Sequence, residues 1–350
     1  MLTYNLAPVK HIIIIGGGFA GAYCARKLEK NFHVTLIDTK DYYEFTPGIL
    51  RTIVEPQHVR KIQRLHTHYL HKTKVMRGMV TSITKKDVVF NGHKIFYDYL
   101  IIASGSTYHS PIKEQNIVIA TRGAILRDYY EHLCKAHSIL IIGGGIVGVE
   151  LAAEIVTHYP GKKVTLVHAH EYLMERMPRK AQTYAKEFLE AQSVKFIMNE
   201  RITEHTRKSF ITNNGTKIQA DLTFICTGIK PNSDFMNKHF SELLNEKQFI
   251  MNDAWLRLQG YDYIFVGGDV TAVKEEKTAQ NAENHAKIIV KNICHQEQGK
   301  ELTPYRQNPR AMVISLGKYN GIFTYKNMVI KGIIPGILKT LIEWKTMMRY

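Results

Sequence analysis

The stretch ILIIGGGIVGVELAAE at residues 139–154 decides the fold, because it repeats a pattern already present in IIIIGGGFAGAYCA at residues 12–25. Each copy runs from an apolar strand through Gly-x-Gly-x-x-Gly into a helix. The first glycine permits a tight turn, the second lets the backbone approach a pyrophosphate, and the third lets helix and strand pack closely, with the helix N-terminus facing the phosphates. Two strand-flanked copies predict two nucleotide sites, and two nucleotides on one chain imply electron transfer between them. The alternative is two glycine-rich turns without a ligand.

Composition bounds the class of protein. With 350 residues the chain is long enough for two or three domains. Its four cysteines show neither Cys-x-x-Cys nor Cys-x4-Cys spacing, so the sequence predicts neither a disulfide framework nor a redox-active dithiol. No run of about 18 apolar residues occurs, so no membrane-spanning helix is predicted. The formal charge of +16 favours anionic partners, namely nucleotide phosphates, an anionic membrane surface or nucleic acid.

The first copy is followed by a strand at residues 33–37 that ends on Asp38. A carboxylate at this position can accept both hydroxyls of an adenosine ribose, which suits an unphosphorylated ribose. A solvated strand-end aspartate is the alternative. A buried strand at residues 99–103 then closes on Ser104 and Gly105, whose small size lets the backbone pass near a bound cofactor.

The segment between these strands is charged and is predicted to be irregular over residues 41–77. It contains His66, His68 and His71, but no single regular conformation aims all three side chains at one metal ion. A polar or anion-facing stretch is therefore favoured over a metal site. Residues 76–97 alternate as in a small antiparallel meander with a tight turn.

The second copy is followed by a strand at residues 163–167 that ends on His168 instead of an acid. Without a carboxylate there is no strong rejection of a 2'-phosphate, and His168, His170 and Arg176 could tolerate one. The second site is therefore expected to accept NADPH as well as NADH. Another meander follows, and the unit closes on a turn at Gly228 that parallels the first unit.

The chain then returns to the first unit through a strand at residues 263–266 and the turn Gly267-Gly268-Asp269. An aspartate on a glycine turn at a strand end can bond ligand hydroxyls. The alternative role for Asp269 is the N-cap of a helix over residues 279–294.

The tail has a different character, with large apolar residues among lysines. At helical spacing one side of residues 336–349 carries Lys339 and Glu343, and the opposite side carries Ile337, Leu341, Trp344 and Met348. A basic amphipathic helix with a tryptophan is typical of a helix that lies in a membrane interface. The alternative is a helix docked on its own domain or on a second subunit.

Seven segments make the whole chain resemble the two-dinucleotide-binding-domain flavoproteins. They are GGGFAG (16–21), ASGS (103–106), GGGIVGVELAAE (143–154), YPGKKVTLVH (159–168), CTGIK (226–230), GD (268–269) and WKTM (344–347). Within this superfamily the chain resembles the branch of type II NADH dehydrogenases and apoptosis-inducing-factor-like quinone reductases, in particular the ferroptosis suppressor protein family. Sulfide:quinone reductases share the fold but need paired cysteines, which this chain lacks.

The resemblance implies an α/β fold with two Rossmann-like FAD/NAD(P)-binding domains, the second inserted in the first. The FAD-binding domain would comprise residues 1–111 and 249–305, and the inserted NAD(P)H-binding domain residues 112–248. Residues 306–350 would form a C-terminal segment that provides a membrane-surface or dimer helix.

The resemblance also implies site residues. For FAD they are Gly16, Gly17, Gly18, Phe19, Ala20, Gly21, Asp38, Val80, Ala103, Ser104, Gly105, Gly268, Asp269 and Ala279. For NAD(P)H they are Gly143, Gly145, Gly148, Glu150, His168 and Gly228. Glu150 is expected near the nicotinamide where it meets the flavin. Residues 279–284, AQNAEN, resemble the Ala-Gln-x-Ala-x-Gln of type II dehydrogenases, with Asn284 in place of the second glutamine, so Gln280 is expected at the acceptor mouth. No metal is expected.

Together these features predict an FAD-dependent NAD(P)H:quinone oxidoreductase that passes two electrons to a membrane quinone. Two alternatives stay open: a soluble NAD(P)H-dependent flavin reductase with a protein or small-molecule acceptor, and a basic, nucleic-acid-binding flavoprotein like apoptosis-inducing factor.

Nucleic acid is the less favoured partner, because a charge surplus is commonly a solvated surface. An anionic membrane surface and a second copy of the chain are the other expected partners. Residues 1–10 are too short and too polar for a signal peptide, so the expected location is the cytoplasmic side, peripheral on a membrane through the C-terminal helix.

Overall fold

The computed structural model describes residues 9–307, 309 and 311–350. The expectation for the N-terminal segment therefore lies, up to residue 8, outside the described residues. The helices are α1 Phe19–Leu28, α2 Ile49–Val54, α3 Val59–Ile62, α4 His66–Tyr69, α5 Ile119–Lys135, α6 Ile146–His158, α7 Arg179–Ala191, α8 Ala279–Glu297 and α9 Ile333–Met347. The strands are β1 His11–Ile15, β2 His33–Asp38, β3 Tyr42–Glu44, β4 Gln63–Leu65, β5 Lys74–Arg77, β6 Val80–Ile83, β7 Asp87–Phe90, β8 His93–Phe96, β9 Tyr99–Ile102, β10 Ser106–Thr107, β11 Ser138–Ile142, β12 Lys163–His168, β13 Lys195–Met198, β14 Ile202–His205, β15 Ser209–Thr212, β16 Lys217–Gln219, β17 Leu222–Ile225, β18 Lys230–Pro231, β19 Ile264–Val266, β20 Ala311–Leu316, β21 Asn320–Tyr325 and β22 Met328–Gly332.

The first glycine-bearing strand lies at the centre of a parallel sheet with the order β19-β9-β1-β2-β5. Ile14 pairs with Leu36 on one side and with Ile101 on the other. All three side chains are fully buried, as expected for a parallel sheet covered on both faces. The strand β19, which comes late in the chain, joins β9 at the edge of this sheet.

The second glycine-bearing strand occupies the same place in a parallel sheet with the order β13-β12-β11-β17. Ile141 pairs with Leu166 and with Phe224. In each sheet the glycine-bearing strand is thus flanked by the strand that ends on Asp38 or His168 and by the strand that returns from a meander. The predicted α/β class and the internal repeat are confirmed.

The two meanders are the antiparallel sheets β6-β7-β8 and β14-β15-β16. The tight turn at Asn91 and Gly92 has positive φ at both residues, as a two-residue hairpin requires. The prediction was wrong at residues 76–83, which do not form one antiparallel strand. Instead β5 joins the parallel sheet beside β2, and Gly78, with φ +155°, turns the chain before β6 begins.

The stretch predicted as irregular contains short elements in place of a loop. The hairpin β3–β4 and the short helices α2, α3 and α4 fill residues 42–69. These elements matter for the site because α2 packs against α6 of the second unit.

The C-terminal segment folds into the antiparallel sheet β20-β21-β22 followed by α9. The helix predicted for residues 336–349 is confirmed and begins three residues earlier, at Ile333. It packs against β20 and β21, while β20 packs against α6. Within the described part of the chain, none of the helices has the length and apolar character needed to span a bilayer.

Candidate functional site

The first glycine of each motif turns the chain with a backbone conformation that favours glycine. Gly16 has φ +96° and Gly143 has φ +112°. A Cβ at Gly16 would collide with the Ala103 carbonyl, and one at Gly143 with the Cys226 carbonyl. Glycine is therefore required at the first position of both motifs, because in each unit the chain passes close to the turn at the end of the returning strand.

The helix that follows each turn begins beside open space. Gly18 and Gly145 are the N-caps of α1 and α6, and no atom outside the turn lies within 4 Å of a Cβ built on either residue. Unpaired N–H groups at a helix N-terminus attract phosphate. Both copies thus fit a dinucleotide pyrophosphate, with Gly21 and Gly148 in the first turn of each helix.

In the first copy the strand-end acid is enclosed. Asp38 Oδ2 accepts hydrogen bonds from Gly17 N (2.8 Å) and from His66 Nε2 (3.2 Å). Burial alone would raise the pKa of the Asp38 carboxyl, but the His66 bond and the nearby Lys40 ammonium hold it below its usual range. Asp38 is therefore an ionised acceptor, as ribose hydroxyls require, and not a solvated strand end.

Sequence reasoning did not identify His66 as a partner of Asp38 in this site. Its ring is fully buried, and Nδ1 lies 2.7 Å from the Tyr69 hydroxyl. The residues that the structure describes contain no group of three or more His, Cys, Asp or Glu side chains able to hold a metal ion. The pairing of His66 with Asp38 spans 28 residues, so no local pattern could reveal it.

In the second copy an imidazole replaces the carboxylate. His168 Nδ1 accepts a hydrogen bond from Gly144 N (3.0 Å), just as Asp38 accepts one from Gly17. Burial lowers the pKa of His168. Because Nδ1 accepts from Gly144 N, the neutral form of the ring carries its proton on Nε2. That atom is buried, at 3.4 Å from Glu175 Oε2.

The closing turn of the first unit, at Ser104, is held by Asn232, which follows the closing turn of the second unit. Ser104 Oγ donates to the Asn232 carbonyl (2.7 Å), and Asn232 Nδ2 donates to the Ser104 carbonyl (2.8 Å). Gly105 has φ +69° and Gly228 has φ +63°, which marks both closing turns as left-handed. Sequence reasoning missed Asn232, which lies 128 residues from Ser104.

Asp269 lies on the first unit beside this turn. It accepts from Ser106 Oγ (2.8 Å) and from Lys113 Nζ (3.1 Å). Burial would raise the pKa of Asp269, but the Lys113 ammonium and the Ser106 bond lower it. The alternative role as the N-cap of α8 is wrong, because Thr278 is the N-cap and its side chain accepts from Asn281 N.

The remaining FAD candidates lie around α1 and at the start of α8. Phe19 contacts Tyr43 edge to face, and Ala20 lies next to Gly268. Ala279 is partly buried and Gln280 is exposed at the first turn of α8. Val80 lies in the hydrophobic core under the first sheet.

Glu150 connects the second unit to the C-terminal segment. Its Oε1 accepts from Ser315 N (2.7 Å), from Ser315 Oγ (3.1 Å) and from Lys339 Nζ. Glu150 is 6% exposed. A buried carboxylate with three donors is held in one position, and all three donors come from two residues, Ser315 and Lys339, that sequence reasoning had not placed in the site.

Two more ion pairs join the same segment and α6 to the first unit. Arg51 of α2 lies 2.9 Å from Glu154 of α6, and His58 lies 3.0 Å from Glu343 of α9. Lys339 and Glu343 therefore point inward, so α9 docks on its own chain through its polar side. Docking of α9 on its own chain is therefore observed, while its role at a membrane or at a second subunit stays a prediction.

The other side of α9 is exposed. Ile334 is 73% exposed, Trp344 60% and Met348 69%. We call the set of exposed apolar side chains between residues 319 and 348 the apolar tail surface. It also contains Tyr319, Tyr325, Met328, Ile330, Ile333, Ile337, Leu341 and Ile342. Exposed lysines lie among these residues at Lys318, Lys326, Lys331 and Lys345.

Comparison with known proteins agrees with this geometry. Residues 10–286 match the pyridine nucleotide-disulphide oxidoreductase family. Apoptosis-inducing factor homolog B of Dictyostelium discoideum is 32% identical over 89% of both chains. Ferroptosis suppressor protein 1 of Taeniopygia guttata is 30% identical over 96% of this chain and 95% of its own length. The structure of NDH2 from Plasmodium falciparum in complex with NADH has a TM-score of 0.83 at 15% identity, covering 97% of this chain and 96% of that one.

The family match spans most of the chain and both glycine motifs. The resemblance inferred from the motifs is thereby confirmed, as are FAD and NAD(P)H as cofactors. The four cysteines are all unpaired, so the disulphide in the family name has no counterpart here. The chain therefore belongs to the pyridine nucleotide-disulphide oxidoreductase family, as an FAD-dependent NAD(P)H oxidoreductase.

Proposed function

We propose that the acceptor is a membrane quinone, which receives two electrons from NAD(P)H by way of FAD. One observation carries this proposal: the helix that holds Glu150 through Lys339 also presents the apolar tail surface. An apolar acceptor and a membrane would then approach from the side where the two nucleotide units meet. On α9 the exposed Ile337, Leu341 and Trp344 recur at helical spacing and so share one side of the helix, and an exposed apolar side of this kind marks an interaction site in soluble proteins.

FAD, when bound, supplies the two-electron relay. The chain's own residues would hold it through the first glycine turn, with Asp38 and Asp269 as acceptors for its hydroxyls. Gly143, Gly145 and Gly148 would hold the pyrophosphate of NAD(P)H, and Glu150 would orient the nicotinamide. The family relation and the NADH complex of the structurally similar NDH2 support these assignments.

The division of the chain is part of the proposal. Residues 1–111 and 249–305 would form the FAD-binding domain around an inserted domain at 112–248. The pairing of β19 with β9 supports this division, because it returns the chain to the first sheet after the second is complete. Residues 306–350 would attach the protein to an anionic membrane, because lysines surround the apolar tail surface.

The acceptor is tested by oxidation of NADH and NADPH against soluble quinones, oxygen and ferricyanide, together with anaerobic stopped-flow. We expect NADH to bleach bound FAD, and quinones to sustain turnover where oxygen does not. Bleaching followed by turnover with ferricyanide alone would favour a soluble reductase with another acceptor. Failure of NADH to bleach the FAD would refute the proposal.

Membrane attachment is tested by vesicle flotation with phosphatidylcholine alone or with added phosphatidylserine. Trp344→Glu should reduce binding to the anionic vesicles, because it places a carboxylate on the apolar tail surface. Phe96→Glu is the matched control, since Phe96 is 64% exposed on β8, away from this surface. Equal flotation of both variants would contradict membrane attachment through the apolar tail surface. Light scattering that shows a dimer lost only in Trp344→Glu would indicate that a second copy of the chain covers the surface.

A further inference from the structure

The ribose end of the second nucleotide site contains a carboxylate that the strand-end position does not reveal. Seven residues after His168, Glu175 returns to its ring, with Oε2 at 3.4 Å from His168 Nε2 and Oε1 at 3.6 Å from His170 Nε2. Glu175 is 42% exposed, whereas His168 is 7% exposed. The acid thus lies at the open edge of the site with the imidazole behind it.

The loop that carries Glu175 is fixed on the glycine turn. Met174 N donates to the Gly144 carbonyl (2.9 Å), while Gly144 N donates to His168. A Cβ at Gly144 would meet both the His168 ring and the Leu173 side chain. Glu175 therefore follows directly on a residue anchored to the turn.

We propose that Glu175, and not the strand-end His168, selects NADH over NADPH. This inference rests on the proposed use of the second site for the nicotinamide nucleotide. His168 Nε2 is buried behind the Glu175 carboxylate, so Glu175 is the group of this pair that the ribose can reach. A ribose 2'-hydroxyl can donate a hydrogen bond to this carboxylate.

A 2'-phosphate meets a different balance of charge. Its negative charge would lie beside the Glu175 carboxylate, and a phosphate without a hydrogen cannot donate to that acid as a hydroxyl does. Arg176, which the sequence offered as a phosphate partner, is engaged with Glu276 at 3.0 Å. The other nearby acid, Glu171, bonds to the Tyr172 hydroxyl, and His170 is the remaining titratable side chain that faces Glu175.

The proposal is tested by calorimetry with the full, FAD-loaded chain. The measured quantities are the dissociation constants of ADP-ribose and of 2'-phospho-ADP-ribose. These probes carry the ribose edge without a nicotinamide, so the readout needs no electron transfer. The unmodified chain should bind ADP-ribose more tightly. Glu175→Gln should shift the ratio of the two dissociation constants by about tenfold toward the phosphorylated probe, since it removes one negative charge beside the phosphate.

Glu171→Gln is the matched control, because it removes a carboxylate from the same loop and should leave the ratio unchanged. A ratio that Glu175→Gln does not change, or that Glu171→Gln changes equally, overturns the inference while leaving the proposed donor site intact. If neither probe binds to any variant, the donor site of the proposed function fails together with it.

Discussion

The two nucleotide units present the same pair of side-chain types in opposite order. In the first, Asp38 takes the hydrogen bond from the glycine turn and His66 lies behind it; in the second, His168 takes that bond and Glu175 lies in front. The first pair is enclosed, whereas Glu175 is largely accessible. The same backbone position of the fold thus holds an enclosed acid in one unit, and in the other a buried imidazole with a more accessible acid in front of it.

The largest expected effect comes from breaking the enclosed pair. Asp38→Ala leaves Gly17 N–H and the His66 ring without their acceptor in a buried place, which costs about 1–3 kcal/mol of folding free energy for each donor left unsatisfied. The purified variant should contain little FAD by absorbance and unfold at lower denaturant concentration. His168→Ala, the counterpart in the second unit, should retain FAD. Equal loss of FAD from both variants would contradict the distinction between the units.

A smaller effect is expected where the second unit meets the C-terminal segment. Glu150→Gln weakens the bond to Lys339 and removes the charge expected beside the nicotinamide, so NADH should bleach bound FAD about 100-fold more slowly, as misplaced reactants do. Lys339→Met should slow the same step, because it leaves the Glu150 carboxylate without its cation. Lys345→Met is the control on the exposed side of α9. Stopped-flow rates that are unchanged in Lys339→Met would show that the contact has no bearing on the reaction.

The smallest effect concerns acid stability of the second unit alone. Asp221 accepts from Ser138 N (3.0 Å), from Ser138 Oγ and from His137 N, and these bonds lower its pKa to about 2. Because the folded pKa lies below the unfolded value, this stabilisation is present above about pH 4 and is lost as pH falls toward 2. Asp221→Asn should flatten that part of the pH dependence in urea unfolding. An unchanged slope would contradict the assignment.

Sequence alone was sufficient wherever the signal is local. The glycine turns, their flanking strands and the strand-end Asp38 follow from residue types within about 20 positions of each other. The split at Gly78 was missed because a parallel edge strand and an antiparallel one share the same alternation. His66, Asn232 and Glu175 were missed because their roles depend on contacts that only the folded chain brings about.

The sequence also could not show which side of α9 faces the rest of the protein. An apolar stripe normally predicts the buried side of a helix, yet here Lys339 and Glu343 face inward. Their partners Glu150 and His58 lie 189 and 285 residues away along the chain. A lysine and a glutamate one turn apart resemble a solvated pair until those partners are known.

The exposure of Trp344 gives the protein an intrinsic optical reporter. The chain has two tryptophans, and the other, Trp255, lies on the first unit with its carbonyl bonded to Asn292 of α8. In a Trp255→Phe background the remaining emission would come from α9 alone. A shift of that emission to shorter wavelength would then record the moment at which lipid, or a second copy of the chain, takes the place of water on this helix.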